Sequence, residues 1–427
     1  MDRILATHTG SLIRPPELLA FLAAKERGQN YDEEAYQRCL RESVDDVVRR
    51  QAEAGIDVVD DGEMGKASWI TYLYERVSGL EVRPIQLEGA SMLPPSRDRQ
   101  AFPGAYAALD ALDEAAVRES NAAASSALPD EEAAAAGAGV AWVCTGPLTY
   151  DRTALDRDIT NFKAALSQHD GIEGFLPVVA PASAYWLQNE HYSSEEEFVF
   201  ALADALHEEY KAIVDSGLLL QVDDAVMMHE ADTMMSRGES WDDYRRWADL
   251  RVRALNHALQ GLPEDRVRYH VCWGSWHGPH MFDPPLKDVV DLILAVNAGY
   301  YAMEQANARH EHEWRVWEEV ALPEGKKLIP GVVTHHTNVV EHPELVAQRL
   351  VRLANVVGRE NVLAGTDCGF AQGSFIQRVH PEIQWAKLAA LAEGARLASR
   401  ELWNPAHPPA HPAAAAGLSD AAVKRMT

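Results

Sequence analysis

From one end to the other, this chain alternates short apolar runs with longer segments whose apolar residues recur every three to four positions. Strand–helix alternation sustained in this way predicts an α/β fold built on a parallel sheet. The runs that read as strands are Arg3–His8, Asp57–Asp61, Ala141–Cys144, Phe175–Val179, Leu218–Asp223, Val267–Cys272, Tyr300–Glu304, Leu328–Val333 and Asn361–Thr366. They number one more than an eight-stranded barrel needs, so one of them is expected to flank the sheet. The helices between them carry clear signals. Ser194 is placed to cap Glu195–Ser216, which stops at Gly217, and Trp241–Leu259, Leu286–Ala298, Pro343–Val357 and Pro381–Trp403 show the same periodicity. The expected architecture is a TIM-like (β/α)8 barrel over residues 1–403.

Two stretches break the alternation. Residues 81–139 begin rich in Pro and continue rich in Ala and acids, and read as an insertion after the second strand, a lid or an oligomer contact. A homo-oligomer is left open on that ground. Residues 404–427 form a low-complexity Pro/Ala tail whose two histidines read as passive. The formal charge of −26, with no basic stripe to offset it, argues against nucleic acid and anionic membranes as partners. There is no run long enough for a membrane span and no signal-peptide pattern at Met1–His8, so a cytoplasmic location is expected. Four cysteines without framework spacing suit a reducing compartment in which thiols stay free for metal.

The chemistry gathers at strand ends. His270 and Cys272 end one strand, Glu304 ends the next, and Cys368 follows the last. Taken singly, His270 reads as a satisfied core histidine and either cysteine as a small buried hydrophobe. Together, two thiolates, an imidazole and a carboxylate form a tetrahedral Zn2+ set. Such distant ligands meet only where a fold gathers its strand ends, as a closed parallel barrel does at its C-terminal mouth. Cys39 and Cys144 read as packing residues. Other strand ends aim at the same mouth: His8 and Ser11 around the Gly10 turn, Glu63 after Asp60-Asp61-Gly62, Asp223 and Asp224 after an apolar run, and His335-His336 after Gly331-Val332-Val333. Trp273 and Trp276, beside the zinc cysteine, read as an aromatic donor pocket or as a packed loop.

In order along the chain, Thr9-Gly10-Ser11, Asp61-Gly62-Glu63, Cys144-Thr145-Gly146-Pro147-Leu148-Thr149, Gln221-Val222-Asp223, His270-Val271-Cys272, Glu304 and Asp367-Cys368-Gly369 resemble the C-terminal catalytic barrel of cobalamin-independent methionine synthase. The resemblance runs from about Thr7 to Trp403. It implies that His270, Cys272, Glu304 and Cys368 hold zinc and that Ser11, Glu63 and Asp223 hold the carboxylate and amine of an amino-acid thiol. It further implies that His336 moves a proton and that Thr145 lies beside the donor; Asp223 is named with His336 as a catalytic candidate. The implied partners are a small-molecule thiol acceptor, homocysteine by preference, and a methyl or small alkyl donor. The family's N-terminal barrel has no counterpart here, and Lys is scarce, so a polyglutamate tail finds no cationic track.

Three other readings stay open. Single-barrel epoxyalkane:coenzyme M transferases share the zinc pattern but alkylate a sulfonate thiol. A uroporphyrinogen decarboxylase-like lyase shares the barrel but should show an Arg cluster, where this chain has acids. A non-catalytic binding barrel would leave Cys272 and Cys368 structural. The ligand set itself favours thiol chemistry, because a thiolate-rich zinc is a poor Lewis acid for hydrolysis and leaves a bound thiolate nucleophilic.

Overall fold

The computed structural model describes residues 2–26, 29–85, 95–111, 139–184, 187–371, 373 and 378–404. Among these, seven strands form one parallel sheet: β1 (Val58–Val59), β4 (Glu173–Val179), β6 (Leu219–Asp224), β7 (Val267–Val271), β8 (Tyr300–Met303), β9 (Lys327–Val333) and β10 (Gly365–Thr366), in that spatial order. The segment around Ala6 and Thr7 then bridges both edges, Ala6 to Ala364 and Thr7 to Val58, each in parallel. Thr7 N–H donates to the Ala364 carbonyl at 2.8 Å, and Val58 N–H donates to the Ala6 carbonyl at 3.1 Å. These bonds curl the sheet round on itself as a TIM-like barrel, so no described edge of it is left bare.

The surplus strand is the one predicted at Ala141–Cys144. It belongs to β3 (Gly139–Tyr150), which pairs antiparallel with β2 (Val77–Ile85) and parallel with β5 (Leu187–Asn189) in a separate three-stranded sheet. Local composition gave no sign of this, because partner choice is a long-range property. A buried charge network ties this sheet to the main body. Arg76 pairs with Asp158 at 2.6 Å and Glu209 at 3.4 Å, while Tyr150 Oη donates to Glu209 at 2.6 Å.

Of the predicted insertion, residues 86–94 and 112–138 lie outside the described residues, as does the tail from 405. The described piece between them docks near the mouth. Met281 N–H donates to Asp98 at 3.0 Å, Arg97 pairs with Asp232 at 2.5 Å, and the Trp276 indole donates to Tyr106 Oη at 3.3 Å.

Helices form where their caps predict. Ser194 Oγ accepts from Glu197 N–H at the head of Glu195–Asp215, and Ser240 with Asp243 makes a capping box for Trp241–Ala258. The barrel interior is apolar at one level, with Ala302, Ile329 and Leu363 packed together. At another it is occupied by the fully buried Arg268, whose guanidinium lies 3.8 Å over the Phe175 ring and donates to Thr7 Oγ1 and the His8 carbonyl. No described helix is long and apolar enough to cross a membrane.

Candidate metal and thiol site

Strand alternation explains why His270 and Cys272 work together. Residues two apart on a strand share a face, so Arg268, His270 and Cys272 follow one another up the same side of β7 toward its C-terminal end. Cys368 arrives from the turn after β10. The ligand atoms of His270, Cys272 and Cys368 all lie within 4.8 Å of one another. The two sulfurs are hydrogen-bonded to each other. The Cys272 thiol is raised well above its ordinary value by its hydrogen bond to Cys368 and by burial, and Cys368 is lowered well below by the same bond and by His270 and His335. Two buried cysteine sulfurs beside an imidazole whose ring nitrogens have no nitrogen or oxygen partner are a donor set that suits a soft dication.

Glu304 stands beside this triplet, though only the other three residues meet as a cluster. Its Oε1 accepts from Trp273 N–H at 3.3 Å and its Oε2 from Asn307 Nδ2 at 2.6 Å. Burial, then the charges of Asp367 and Cys368, push its carboxyl well above the usual range. A dication at the cluster would remove that cost. The residues therefore fit zinc, with three ligands gathered and the carboxylate held alongside.

Asp367 braces the two loops that deliver these groups. Its Oδ1 accepts from Gln305 N–H at 2.9 Å and Ala306 N–H at 2.8 Å, and Gly331 is required beneath it, since a Cβ there would collide with the same carboxylate.

Four other candidate residues take up positions around the same strand ends. Asp223 is opposite His270 in the β6–β7 register. Burial raises its carboxyl to about 8, with Glu63 and Cys368 adding to the rise and His270 opposing it. Ser11 lies against the Cys368 turn: Phe370 N–H donates to its carbonyl at 2.8 Å, and any side chain at Gly369 would strike its hydroxyl. Glu63 is held in the left-handed region at φ 56°, a strained position for a residue with a side chain. His336 is half-buried at the mouth, with its ring 4.7 Å from His335 and 5.8 Å from His277. Burial and the neighbouring cations lower it to about 4.

Other predicted roles are corrected. Both nitrogens of His8 are taken, Nε2 by Gln51 at 2.7 Å and Nδ1 by Gly10 N–H at 3.2 Å, so it builds the turn rather than meeting a substrate. Asp224 faces the opposite side of β6 from Asp223 and is bonded to Ser183, Tyr269 and Met227. Trp273 is wholly buried, its indole donating to the Pro284 carbonyl, so it is wall and not pocket. Thr145 lies in the three-stranded sheet, and no described contact joins it to the cysteines. Trp276 does lie at the mouth, between His280 at 4.4 Å and His229 at 6.0 Å.

The sequence reading missed Lys66, buried 3.9 Å from Glu63 and 4.3 Å over the Tyr72 ring. It is the cation that the Asp60–Glu63 carboxylates require, and its position three residues after Glu63 was the available signal. Asn307, which holds Glu304, was also missed, whereas His335, named with His336 at the strand end, has both ring nitrogens buried without partners.

Residues 182–390 match the family described as cobalamin-independent synthase, catalytic domain. A methionine synthase of Thermococcus kodakarensis is 25% identical over 398 residues, covering 92% of this chain and 93% of that one. One from Pyrococcus furiosus is 24% identical over 396 residues, covering 92% of each. The solved structure of a B12-independent methionine synthase from Shewanella sp. W3-18-1 in complex with selenomethionine superposes with a TM-score of 0.66 at 19% identity, over 93% of this chain and 98% of that one. That likeness shows a shared fold.

Proposed function

We propose, from the premise that this chain is a relative of the cobalamin-independent methionine synthase catalytic domain, that it transfers a methyl group to a thiol, homocysteine by preference, with zinc at His270, Cys272, Cys368 and Glu304. In this reading residues 1–403 are one catalytic (β/α)8 unit with an insertion after its second strand. The observation that carries the proposal is the convergence of two cysteines and a histidine within 4.8 Å, with the half-buried Asp223 opposite His270 and the buried Glu304 alongside.

Zinc bound there would hold the acceptor thiol as a nucleophilic thiolate at neutral pH. The remaining work falls to the chain's own groups. Asp223 and Glu63 are carboxylates placed to receive an ammonium group, and Lys66 keeps the pair from being a bare double negative. Ser11 and the backbone of the Gly10 turn are placed for the acceptor's carboxylate. His336, half-exposed where His335 is sealed, is the imidazole able to pass a proton between this site and solvent.

The donor is expected to be a compound without long polyglutamate contacts, for want of a Lys track. The test is metal content together with an acceptor screen. Wild type should hold one zinc per chain, Cys272→Ser and Cys368→Ser should lose it while staying folded, and cobalt-substituted enzyme should change its spectrum with homocysteine. Full zinc retention in both serine variants would overturn the reading. Binding of coenzyme M without homocysteine would move it to epoxide chemistry.

A further inference from the structure

Behind the cysteine cluster runs a buried chain of four ionisable groups that the reaction does not use. His310 Nδ1 lies 2.8 Å from Glu313 Oε2, and His310 Nε2 lies 3.0 Å from Asp283 Oδ2. His280 Nδ1 meets that same Asp283 oxygen at 3.0 Å, and its Nε2 lies 3.1 Å from the Trp276 carbonyl. The other Glu313 oxygen accepts from Leu286 N–H at 2.8 Å.

The partners determine the protonation state. A neutral imidazole has one donor nitrogen and one acceptor, and an ionised carboxylate or a carbonyl can only accept. His310 faces carboxylate oxygens at both nitrogens, so with Asp283 and Glu313 ionised both nitrogens donate and the ring is an imidazolium. His280 faces a carboxylate and a carbonyl, and the same argument applies. Two cations and two carboxylates neutralise one another in a largely buried chain, with side-chain exposures of 4% for His310, 7% for Asp283, 6% for Glu313 and 17% for His280 at its outer end. Both histidines are correspondingly raised above their ordinary range, against the opposing effect of burial, and Asp283 is lowered.

The location of this chain gives it a task. Asp283 belongs to the segment that follows Cys272, and His310 and Glu313 belong to the segment that follows Glu304. The clasp therefore joins the two loops that carry metal-binding groups. The Trp273 ring stacks on His310 at 4.1 Å between centroids, and Trp273 N–H bonds Glu304. From the other side, Asn307 Oδ1 accepts from the backbone N–H groups of Arg309 and His310, which leaves its amide to grip Glu304 at 2.6 Å. One bond to Glu304 thus comes from the residue whose ring stacks on the His310 imidazole, and the other from a side chain oriented by the backbone of the His310 turn.

We propose that His310 is a positioning residue, an imidazolium clasped between Asp283 and Glu313 that fixes the Cys272 and Glu304 loops against each other and so sets the orientation of the Glu304 carboxylate. The inference rests on the zinc reading above and deepens it. The titratable groups around the clasp are His280, Asp283, Glu313, Glu304 and Asp367, with Asp98, His229 and His336 facing its His280 end.

Two measurements test it. In ring-nitrogen NMR of the wild type, His310 should show both nitrogens protonated from pH 6 to pH 8, whether or not metal is present. In competition with a chelator, His310→Phe keeps the stack on Trp273 but loses both N–H groups, and should bind zinc about 10–100-fold more weakly. Glu313→Gln, which keeps the shape and removes one charge, should weaken zinc in the same direction and guards against a misfolded His310→Phe. A shift in stability without a change in zinc affinity is what a merely structural residue would give, and it would overturn the proposal. So would a neutral His310 tautomer at pH 8. Wild type with no measurable zinc affinity would defeat the functional reading and this inference with it. Tight zinc in wild type and in both folded variants would defeat this inference alone.

Discussion

Asp223 and His270 stand directly opposite each other on neighbouring parallel strands, β6 and β7, with both side chains on the face that also carries Cys272. The proposed amine-binding carboxylate and the proposed zinc imidazole are thereby fixed relative to each other by backbone hydrogen bonds, with no dependence on a loop.

From this pairing, Asp223→Ala should raise the apparent KM for the acceptor by roughly one to two orders of magnitude, as expected for a lost charged hydrogen bond of about 1.5–3 kcal/mol. Zinc content should stay at the wild-type level, because Asp223 is not among the gathered ligands. Steady-state kinetics and metal analysis on the same preparation check both halves.

Arg76 should be a stability residue with no role in catalysis. It is 4% exposed and pairs with Asp158 and Glu209, and together with Arg157 it holds the Asp158 carboxyl below its usual range in spite of burial. Arg76→Met leaves two buried carboxylates short of their cation, and breaking such a network costs about 3–5 kcal/mol. Denaturant unfolding should show the loss, and the folded variant should keep its zinc.

His8 makes the stability pH-dependent in a defined window. Burial lowers it from 6.5 to about 4, so the unfolded chain binds a proton that the folded chain refuses. Its stabilisation is fully present above about pH 6.5 and is lost as pH falls toward about 4, on the order of 3 kcal/mol in all. The difference in unfolding free energy between wild type and His8→Gln should therefore shrink across that window. A constant difference from pH 7 to pH 4 would show that the proton is not excluded.

Gly274 should tolerate no side chain. Its φ is 106°, and a Cβ would run into the Trp276 ring. In Gly274→Ala the indole must leave its contact with Tyr106, so its fluorescence should shift. The KM for the donor should rise more than the KM for the acceptor. An unchanged emission spectrum would mean that the ring had not moved.

Periodicity was enough to read the helices and the ring strands, because both depend on residues near in sequence. Ser194 before Glu195–Asp215 is an example: the cap and the residues it satisfies lie within a few positions. The gathering of His270, Cys272 and Cys368 was also legible, since strand ends of a parallel barrel share one face. The displaced strand was not. Ala141–Cys144 has the composition of a barrel strand, and only its pairing with Val77–Ile85 took it elsewhere.

By itself, then, the sequence determined the α/β alternation, the chemical type of the candidate ligands and the strand ends that bear them, all of which follow from local composition and spacing. The tertiary structure decided which of two adjacent acids, Asp223 or Asp224, faces the cysteines. It likewise decided that His8 and Trp273 are walled in, and that His310, some forty residues from Cys272, clasps the loop which follows that cysteine. The reason is physical: side-chain direction and hydrogen-bond saturation are set by whichever distant group occupies the other side of the contact, and a one-residue change of register reverses every face.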